Sequence, residues 1–520
     1  MKKIDIYDTT LRDGSQQVGI SFSVHDKLAI VRRLDPLGMY VEGGYPGSNP
    51  KDREFFELLR QDPLKHSKLV AFGKTCLKGQ SPQEDEELAY LLEAHTEFVT
   101  IVGKSSRYQV EDILRISAEE NLRMIRETCS FLAGQGRQVF FDAEHFFDGF
   151  CQDPEYSLEC IRAAARGGAC RIVLCDTNGG SLPDSIASGV KAAKRAVAAP
   201  IGIHCHNDGD LAVANSLSAV DAGATQVQVT VNGYGERCGN ADMASVVVNL
   251  QLKKGHQCFS DAGLRGLTKL ARYVAEMANL PLGHSKPIVG KGAFCDKAGL
   301  HASASARAEL SYKHIDPSVV GNVSSTAVSE LAGRSNILLK VQEFGLPMSE
   351  KEIFQVLGKV EDLENQGFQF DVADASLFLL MLRFKDGYSA PFRVIYSDIR
   401  SQAIGNEDST HSANVKIELN NGKHDVFYEA AEGDGPVNAL DLALRKALSL
   451  PYPCIANVIL TDYKVRVLDG GKGSAKSVRI LIDFSDGTAE WTTVGCATSL
   501  TEASKMSLVE GLEYAIVRAQ

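Results

Sequence analysis

A (β/α)8 (TIM) barrel, followed by a helical linker region and a C-terminal α+β unit with internal two-fold repetition, is the fold class this sequence predicts. Three observations carry it. Short β-rich apolar runs alternate with segments of helical period over residues 1–260, and strands alternating with helices imply a parallel sheet. Eight such runs occur, the number that closes a barrel. An open, doubly wound sheet is the alternative, but its usual Gly-x-Gly-x-x-Gly after the first strand is missing: Asp8-Thr9-Thr10-Leu11-Arg12-Asp13-Gly14 stands there instead.

The eight strands are Ile4–Tyr7, Tyr40–Gly43, Leu69–Phe72, Phe98–Val102, Val139–Asp142, Ile172–Cys175, Ile201–His204 and Val227–Val231. Helical period marks Lys27–Leu37, Glu84–Ala94, Ala118–Ala133, Tyr156–Arg166, Leu182–Ala196 and Leu211–Ala222 between them. Gly38, Gly134, Gly167 and Gly223 suit the position just past a helix end. Residues 261–390 read as linker subdomains, with helices at Leu264–Met277 and Glu350–Gln366. The Gly-, Ala- and Ser-rich stretch Lys286–Asn322 lies between these helices, with His301 and His314 inside it and His284 just before it. Residues 391–520 change character. Val394–Tyr396, Ala413–Leu419, His424–Ala430, Val458–Leu468, Val478–Phe484 and Ala489–Thr493 read as strands, and Pro436–Leu448 and Leu500–Val517 as helices. The order strand, Gly-containing loop, helix occurs at Val426–Leu448 and again at Trp491–Leu512, which suggests two related halves. Without an acid–base constellation, this unit reads as regulatory or dimerising; a purely structural appendage is the alternative.

At 520 residues the chain is too long for one ordinary domain, and 44% hydrophobic with 23% charged residues is the composition of a soluble globular protein. A net charge of −11 argues against a nucleic-acid partner. The twelve cysteines include no Cys-x-x-Cys pair, so reduced thiols and a cytoplasmic location are expected. The start, Met1-Lys2-Lys3-Ile4-Asp5, has no signal-peptide apolar region, and no apolar run approaches the about 18 residues that span a membrane.

Function gathers at the C-terminal ends of barrel strands, and here these ends are polar. They carry Arg12-Asp13, Glu42-Gly43-Gly44, Asp142-Ala143-Glu144-His145, Asp176-Thr177-Asn178, His204-Cys205-His206-Asn207-Asp208 and Asn232 through Asn240. Strand alternation turns His204 and His206 to one face and Cys205 to the other. Two imidazoles with carboxylate and amide oxygens form a mixed N/O set suited to Zn²⁺, Mn²⁺ or another borderline divalent ion with open positions. Two surface or hydrogen-bonded histidines would be the ordinary explanation of a bare His-x-His.

Asp8-Thr9-Thr10-Leu11-Arg12-Asp13-Gly14-Ser15-Gln16 resembles the first signature of the 2-isopropylmalate synthase, homocitrate synthase and citramalate synthase family, and His204 through Asn240 resembles its second. Glu42 through Asp52 and Phe141 through Gly149 resemble the bacterial and archaeal citramalate synthase branch most. The resemblance implies acetyl-CoA and pyruvate as substrates, joined in a metal-dependent Claisen condensation, with thioester hydrolysis giving (R)-citramalate and CoA for isoleucine biosynthesis. 2-Isopropylmalate synthase is the alternative. The resemblance also implies a divalent metal (Mn, Zn, Mg or Co) on Asp13, His204, His206 and Asn240. Arg12 would steady the carbonyl or oxyanion, Glu144 stand near the acetyl group, and Thr177 bind the oxo-acid carboxylate. His301 would be base or water activator, with Tyr312 beside it. The linker of one subunit would reach the other's barrel in a homodimer. The C-terminal unit is expected to bind a branched-chain amino acid, isoleucine first and leucine second, and Gly433-Asp434-Gly435-Pro436 and Gly495-Cys496-Ala497 are candidate loops because they open helices at the repeated position.

Each residue has a plainer role to set against this. Arg12 would pair with Asp13 or Glu42, Glu144 would be a rim carboxylate, Thr177 a turn or helix cap, Asn240 a loop cap, and His301 and Tyr312 linker residues. Asp208, Asp210 and Glu236 are expected to fix loops around the site, and His145 and His25 to be structural. Family members often carry His where this chain has Asp296, so no catalytic role is expected there.

Overall fold

The computed structural model describes residues 2–296, 308–326, 334–370, 372–403, 409–422, 424–468 and 477–519. Eight parallel strands close into a barrel in sequence order: β1 Asp5–Asp8, β2 Tyr40–Gly44, β3 Lys68–Lys74, β4 Phe98–Lys104, β5 Gln138–Glu144, β6 Arg171–Asp176, β7 Ile201–Cys205 and β8 Gln226–Val229. Each lies within a residue or two of its expected bounds. β8 pairs with β1 from Asp5↔Gln226 to Asp8↔Val229, which excludes the open sheet. The periodicity singles out six helices between the strands but not Pro50–Gln61, capped by Asn49, whose side chain accepts from Lys51 N at 3.0 Å. Gly38 and Gly223 end their helices in the left-handed region, whereas Gly134 is still helical and Gly167 right-handed.

Strand alternation divides the barrel. Outward residues such as Ile203, Cys205, Val227 and Val229 pack under the helices in the main core. Inward residues fill the barrel in layers, with Tyr7, Val70, Phe98 and Phe140 making an apolar plug. Above the plug the inward residues are polar, among them Glu42, Asp142, His204 and Gln228.

The chain forms two compact units. The first comprises Met1–Phe294 with Ile315–Val323, so the helices Asp261–Arg265 and Leu267–Met277 pack with the barrel beyond residue 260. The second comprises Cys295–His314 with Ser324–Gln520. It contains a short parallel pair, β9 Cys295–Asp296 and β10 Ser325–Thr326. Two antiparallel three-stranded sheets follow: β11 Phe392–Gln402, β12 Thr410–Leu419 and β13 Val426–Gly433; then β14 Ile459–Val467, β15 Val478–Ser485 and β16 Glu490–Ala497. A helix follows each sheet, Pro436–Ser449 and Leu500–Ala519. The repeat is therefore longer than the strand–helix unit the sequence suggests. Both first strands carry a register shift near the start, at Val394/Tyr396 and at Leu460/Asp462. Gly495-Cys496-Ala497 is not a loop: it forms the last three residues of β16.

One buried ion pair anchors the end of β2. Lys27 and Asp52 are 5% and 4% exposed and pair with each other. Lys27 Nζ also donates to Gly43 O at 3.1 Å, and Asp52 Oδ2 accepts from Tyr45 N at 2.8 Å. Removing one member leaves a buried charge uncompensated, at a cost of about 3–5 kcal/mol. Lys27→Met should therefore shift thermal unfolding, followed by circular dichroism, down by several degrees. The double variant Lys27→Met/Asp52→Leu should recover most of that loss; equal melting of Lys27→Met and the unmodified chain would dismiss the pair as an anchor.

Candidate metal centre at the barrel rim

Asp13 follows β1, and His204 and His206 stand at the end of β7; all three are buried. One ligand atom from each lies within 4.8 Å of the others. His204 Nε2 is 3.2 Å from His206 Nε2 and 3.6 Å from Asp13 Oδ2, and His206 Nε2 is 4.0 Å from Asp13 Oδ2. Ligand bonds of about 2.1 Å put adjacent donors about 3.0–3.4 Å apart, so the imidazole pair already has a chelating separation. Cys205 faces away, as alternation requires.

Asn240 joins them from the loop after β8. Its Nδ2 donates to Asp13 Oδ1 at 3.0 Å and to Tyr234 O at 3.1 Å. Its Oδ1 and His206 Nδ1 are buried without a hydrogen-bond partner among the described residues. A buried carbonyl oxygen left unpaired is costly in a protein interior and acceptable where a cation takes its place. The loop is tied to β7 by Asn207 N donating to Gly239 O at 2.8 Å and Ala241 N to Cys205 O at 3.2 Å. Two glycines permit the approach. A Cβ on Gly235 (φ +158°) would lie 2.1 Å from Asn240 Nδ2, and one on Gly239 (φ +89°) 2.0 Å from Gly233 O.

The electrostatics favour a cation. Burial, reinforced by the neighbouring histidine, brings His206 down to about 4, and burial lowers His204 as well, so both rings are neutral ligands. Burial would raise Asp13, but Arg12, the two histidines and the Asn240 amide outweigh it and bring the carboxyl down to about 2. Burial raises Asp8 to about 7, and burial with the Glu42 charge pushes Asp142 well up. Acidic groups at this end thus outnumber Arg12. These residues fit a divalent ion.

Arg12 pairs with both Glu42 and Asp13, so the plainer expectation for it is correct as to partners. The pairs are not weak surface ones, because Glu42 and Asp13 are buried. Arg12 Nε donates to Glu42 Oε1, Nη1 to Asp13 Oδ2 at 3.2 Å, and the guanidinium lies 4.0 Å over the Phe72 ring. Glu42 also accepts from Tyr7 OH and, at 2.9 Å, from Thr9 Oγ1. Glu144 ion-pairs with Lys104 at 2.7 Å. Thr177 lies in a turn, as the plainer expectation allows, and caps no helix: its Oγ1 accepts from His145 N at 2.8 Å, and the next helix begins at Pro183. His145 is structural in the sense expected, held left-handed at φ 58° with Nδ1 3.1 Å from Asp148 Oδ2. Asp208 holds Arg237 through two bonds, 2.7 and 3.0 Å, and Arg237 donates to Thr177 O at 2.7 Å, which is loop fixing. Glu236 lies 3.6 Å from Arg237, and Asp210 accepts from Asn207 Nδ2 at 3.2 Å. His25 is exposed. His301 lies outside the described residues. Tyr312 belongs to the second unit, where its side chain is 54% exposed. Tyr7, Phe72, Lys104 and Gln228 are site residues that the motifs do not single out; their inward positions on strands were the available signal.

The fold and the triad define an HMGL-like barrel, and the model of that family matches residues 3–274. The homocitrate synthase post-HMGL domain-like model matches residues 288–367, and the LeuA allosteric (dimerisation) domain model residues 371–516. The (R)-citramalate synthase of Geobacter sulfurreducens is 43% identical, over 100% of this chain and 99% of that protein. The (R)-citramalate synthase of Synechocystis sp. is 45% identical, over 98% of this chain and 96% of that protein. A probable 2-isopropylmalate synthase of Methanopyrus kandleri is 30% identical over 98% of each. The chain belongs to the (R)-citramalate synthase family.

The purified protein should hold a divalent ion detectable by elemental analysis. Asp13→Asn and His206→Ala should lose it, while His25→Ala keeps it. Retention of the ion by both rim variants would remove the metal assignment.

Proposed function

We propose that this protein joins acetyl-CoA to pyruvate in a Claisen-type condensation and hydrolyses the thioester to (R)-citramalate and CoA. The convergence of Asp13, His204 and His206 beside Arg12 carries the reaction class. The full-length similarity to proteins named (R)-citramalate synthase supports pyruvate as the oxo acid.

A divalent ion on Asp13, His204, His206 and Asn240 would chelate the 2-oxo acid and act as a Lewis acid on its carbonyl. Arg12 meets the oxygen on which charge develops. Glu42 and Asp13 hold the guanidinium in place, so stabilising an oxyanion needs little reorganisation. The Thr177 hydroxyl accepts from His145 N and keeps its own proton to donate to the substrate carboxylate. Glu144, paired with Lys104, lies on the acetyl side in this scheme. The resemblance assigns His301 the removal of the methyl proton or the activation of water, and Tyr312 a supporting part. A proton α to a thioester is too weakly acidic for an isolated imidazole, so positioning and electrostatics provide most of the barrier reduction. The C-terminal unit binds isoleucine as feedback effector and joins two chains into a homodimer in the cytoplasm. The match to an allosteric (dimerisation) domain supports an effector site and a dimer. Among the described residues no helix is long and apolar enough to cross a membrane.

A pocket that rejects two extra methyl groups discriminates by about 1–3 kcal/mol per methylene. The ratio kcat/KM should therefore favour pyruvate over 2-oxoisovalerate by at least about tenfold in a CoA-release assay. The reverse preference would make the chain a 2-isopropylmalate synthase. Saturating isoleucine should lower the rate or raise the melting temperature; if neither changes, isoleucine is not the effector.

A further inference from the structure

β8 turns Gln226 and Gln228 into the barrel and Val227 and Val229 out to the helices. Both glutamines are buried, at 0% and 1% exposure, but their situations differ. Gln226 Oε1 and Nε2 have no hydrogen-bond partner among the described residues. Gln228 uses both ends of its amide. Its Oε1 is 2.7 Å from His204 Nδ1, and its Nε2 donates to Asp142 Oδ1 at 3.0 Å. His204 is on β7, beside β8, whereas Asp142 is on β5, three strands round the ring. The Gln228 side chain therefore crosses the barrel interior to join a ligand histidine to a distant carboxylate.

An amide has one accepting end and one donating end. Asp142 Oδ1, an acceptor, takes the donating end. The carbonyl end is then left facing His204, and a carbonyl oxygen only accepts, so Nδ1 must carry the ring hydrogen. A neutral imidazole has a single N–H, so Nε2 is left with its lone pair. Nε2 is the atom that faces His206 Nε2 and Asp13 Oδ2. A reversed amide would put NH2 against Nδ1, move the ring proton to Nε2 and aim it into the centre. Asp142 opposes that reversal as long as Oδ1 carries no proton, because its oxygen would then meet the amide oxygen. His206 has no such device: its Nδ1 has no partner among the described residues.

We propose that Gln228, held in orientation by Asp142, is a positioning relay that fixes the His204 tautomer and prepares Nε2 as a ligand before a divalent ion arrives. The proposal rests on the metal assignment to Asp13, His204 and His206. Gln228 and Asp142 stand outside the ligand cluster of Asp13, His204 and His206. Partners of this kind typically change metal affinity by about 10–100-fold.

The test is titration of the metal-stripped full chain with Co²⁺ by calorimetry, together with the visible absorption of the Co²⁺ form. Gln228→Leu should bind Co²⁺ about 10–100-fold more weakly and with an altered spectrum. Gln226→Leu, on the same strand and face, should bind as the unmodified chain does. The exchange Gln228→Glu/Asp142→Asn keeps an acceptor against Nδ1, because one oxygen of the new carboxylate replaces the amide oxygen. The amide introduced on β5 then donates to the other oxygen of that carboxylate. The exchange should restore affinity to within several-fold. Unchanged affinity and spectrum in Gln228→Leu overturn the relay, as does an equal loss in Gln226→Leu. If Gln228→Leu does not fold, the exchange decides, and a folded exchange variant with weak binding overturns the relay. Absence of Co²⁺ binding by the unmodified chain would instead refute the metal assignment, a distinguishable result.

Discussion

β1 and β8 share a parallel ladder from Asp5↔Gln226 to Asp8↔Val229, and the site exists only because that ladder closes the sheet. In an open sheet the first and last strands would be opposite edges, and Asp13 would lie far from Asn240. With the barrel closed, Asn240 Nδ2 reaches Asp13 Oδ1 at 3.0 Å, and Val231 N donates to Thr10 Oγ1 at 2.8 Å. The loop after β8 then folds back on the end of β7, so that His206 and Asn240 form an isolated bridge. Residues from the first strand, the seventh strand and the last loop thereby converge on one point.

Convergence also creates an electrostatic cost. Asp8, Asp13, Glu42 and Asp142 are buried at the same end of the barrel, where Arg12 is the cation paired with two of them. Burial of surplus carboxylates is poor stability design, since desolvation is only partly offset by one guanidinium. The same arrangement suits a divalent ion and a developing oxyanion, which supply and use charge in turn. Tyr7, Thr9 and Thr100 hydrogen-bond around Glu42, above the apolar plug that fills the barrel.

The second unit uses a different logic. Two antiparallel sheets, each followed by a helix, repeat with a register shift near the start of the first strand. Its helix Leu500–Ala519 is tied to the earlier helix Asp374–Arg383 by a part-buried polar network. Arg383 donates to Glu510 at 2.8 Å and to Glu513 at 2.9 Å, and Tyr388 OH donates to Glu513 at 2.7 Å. Ser376 donates to Glu510 and accepts from Val494 N at 2.9 Å, which brings β16 into the same network. Such a set of directional bonds is sensitive to small shifts in the sheet, a property that suits a regulatory unit.

The barrel, its polar strand ends and the His204/His206 pair are legible in the chain before any folding is considered, and the family resemblance adds Asp13 to that pair. Strand periodicity is local, and the His-x-His spacing already places both imidazoles on one face. Helix Pro50–Gln61 was less legible, since charged residues at its start mask the apolar face formed by Phe55, Phe56 and Leu59. The extent of the C-terminal repeat was obscured because its outer strands are largely solvent-exposed and lack clean alternation. Which partners meet across the barrel is a property of the folded chain alone. Arg12 binds Glu42 and Asp13 together, Thr177 takes the His145 amide rather than capping a helix, and Gln228 spans from His204 to Asp142. Those contacts depend on strand stagger and barrel closure, which bring together residues far apart along the chain, and no local pattern encodes such distances.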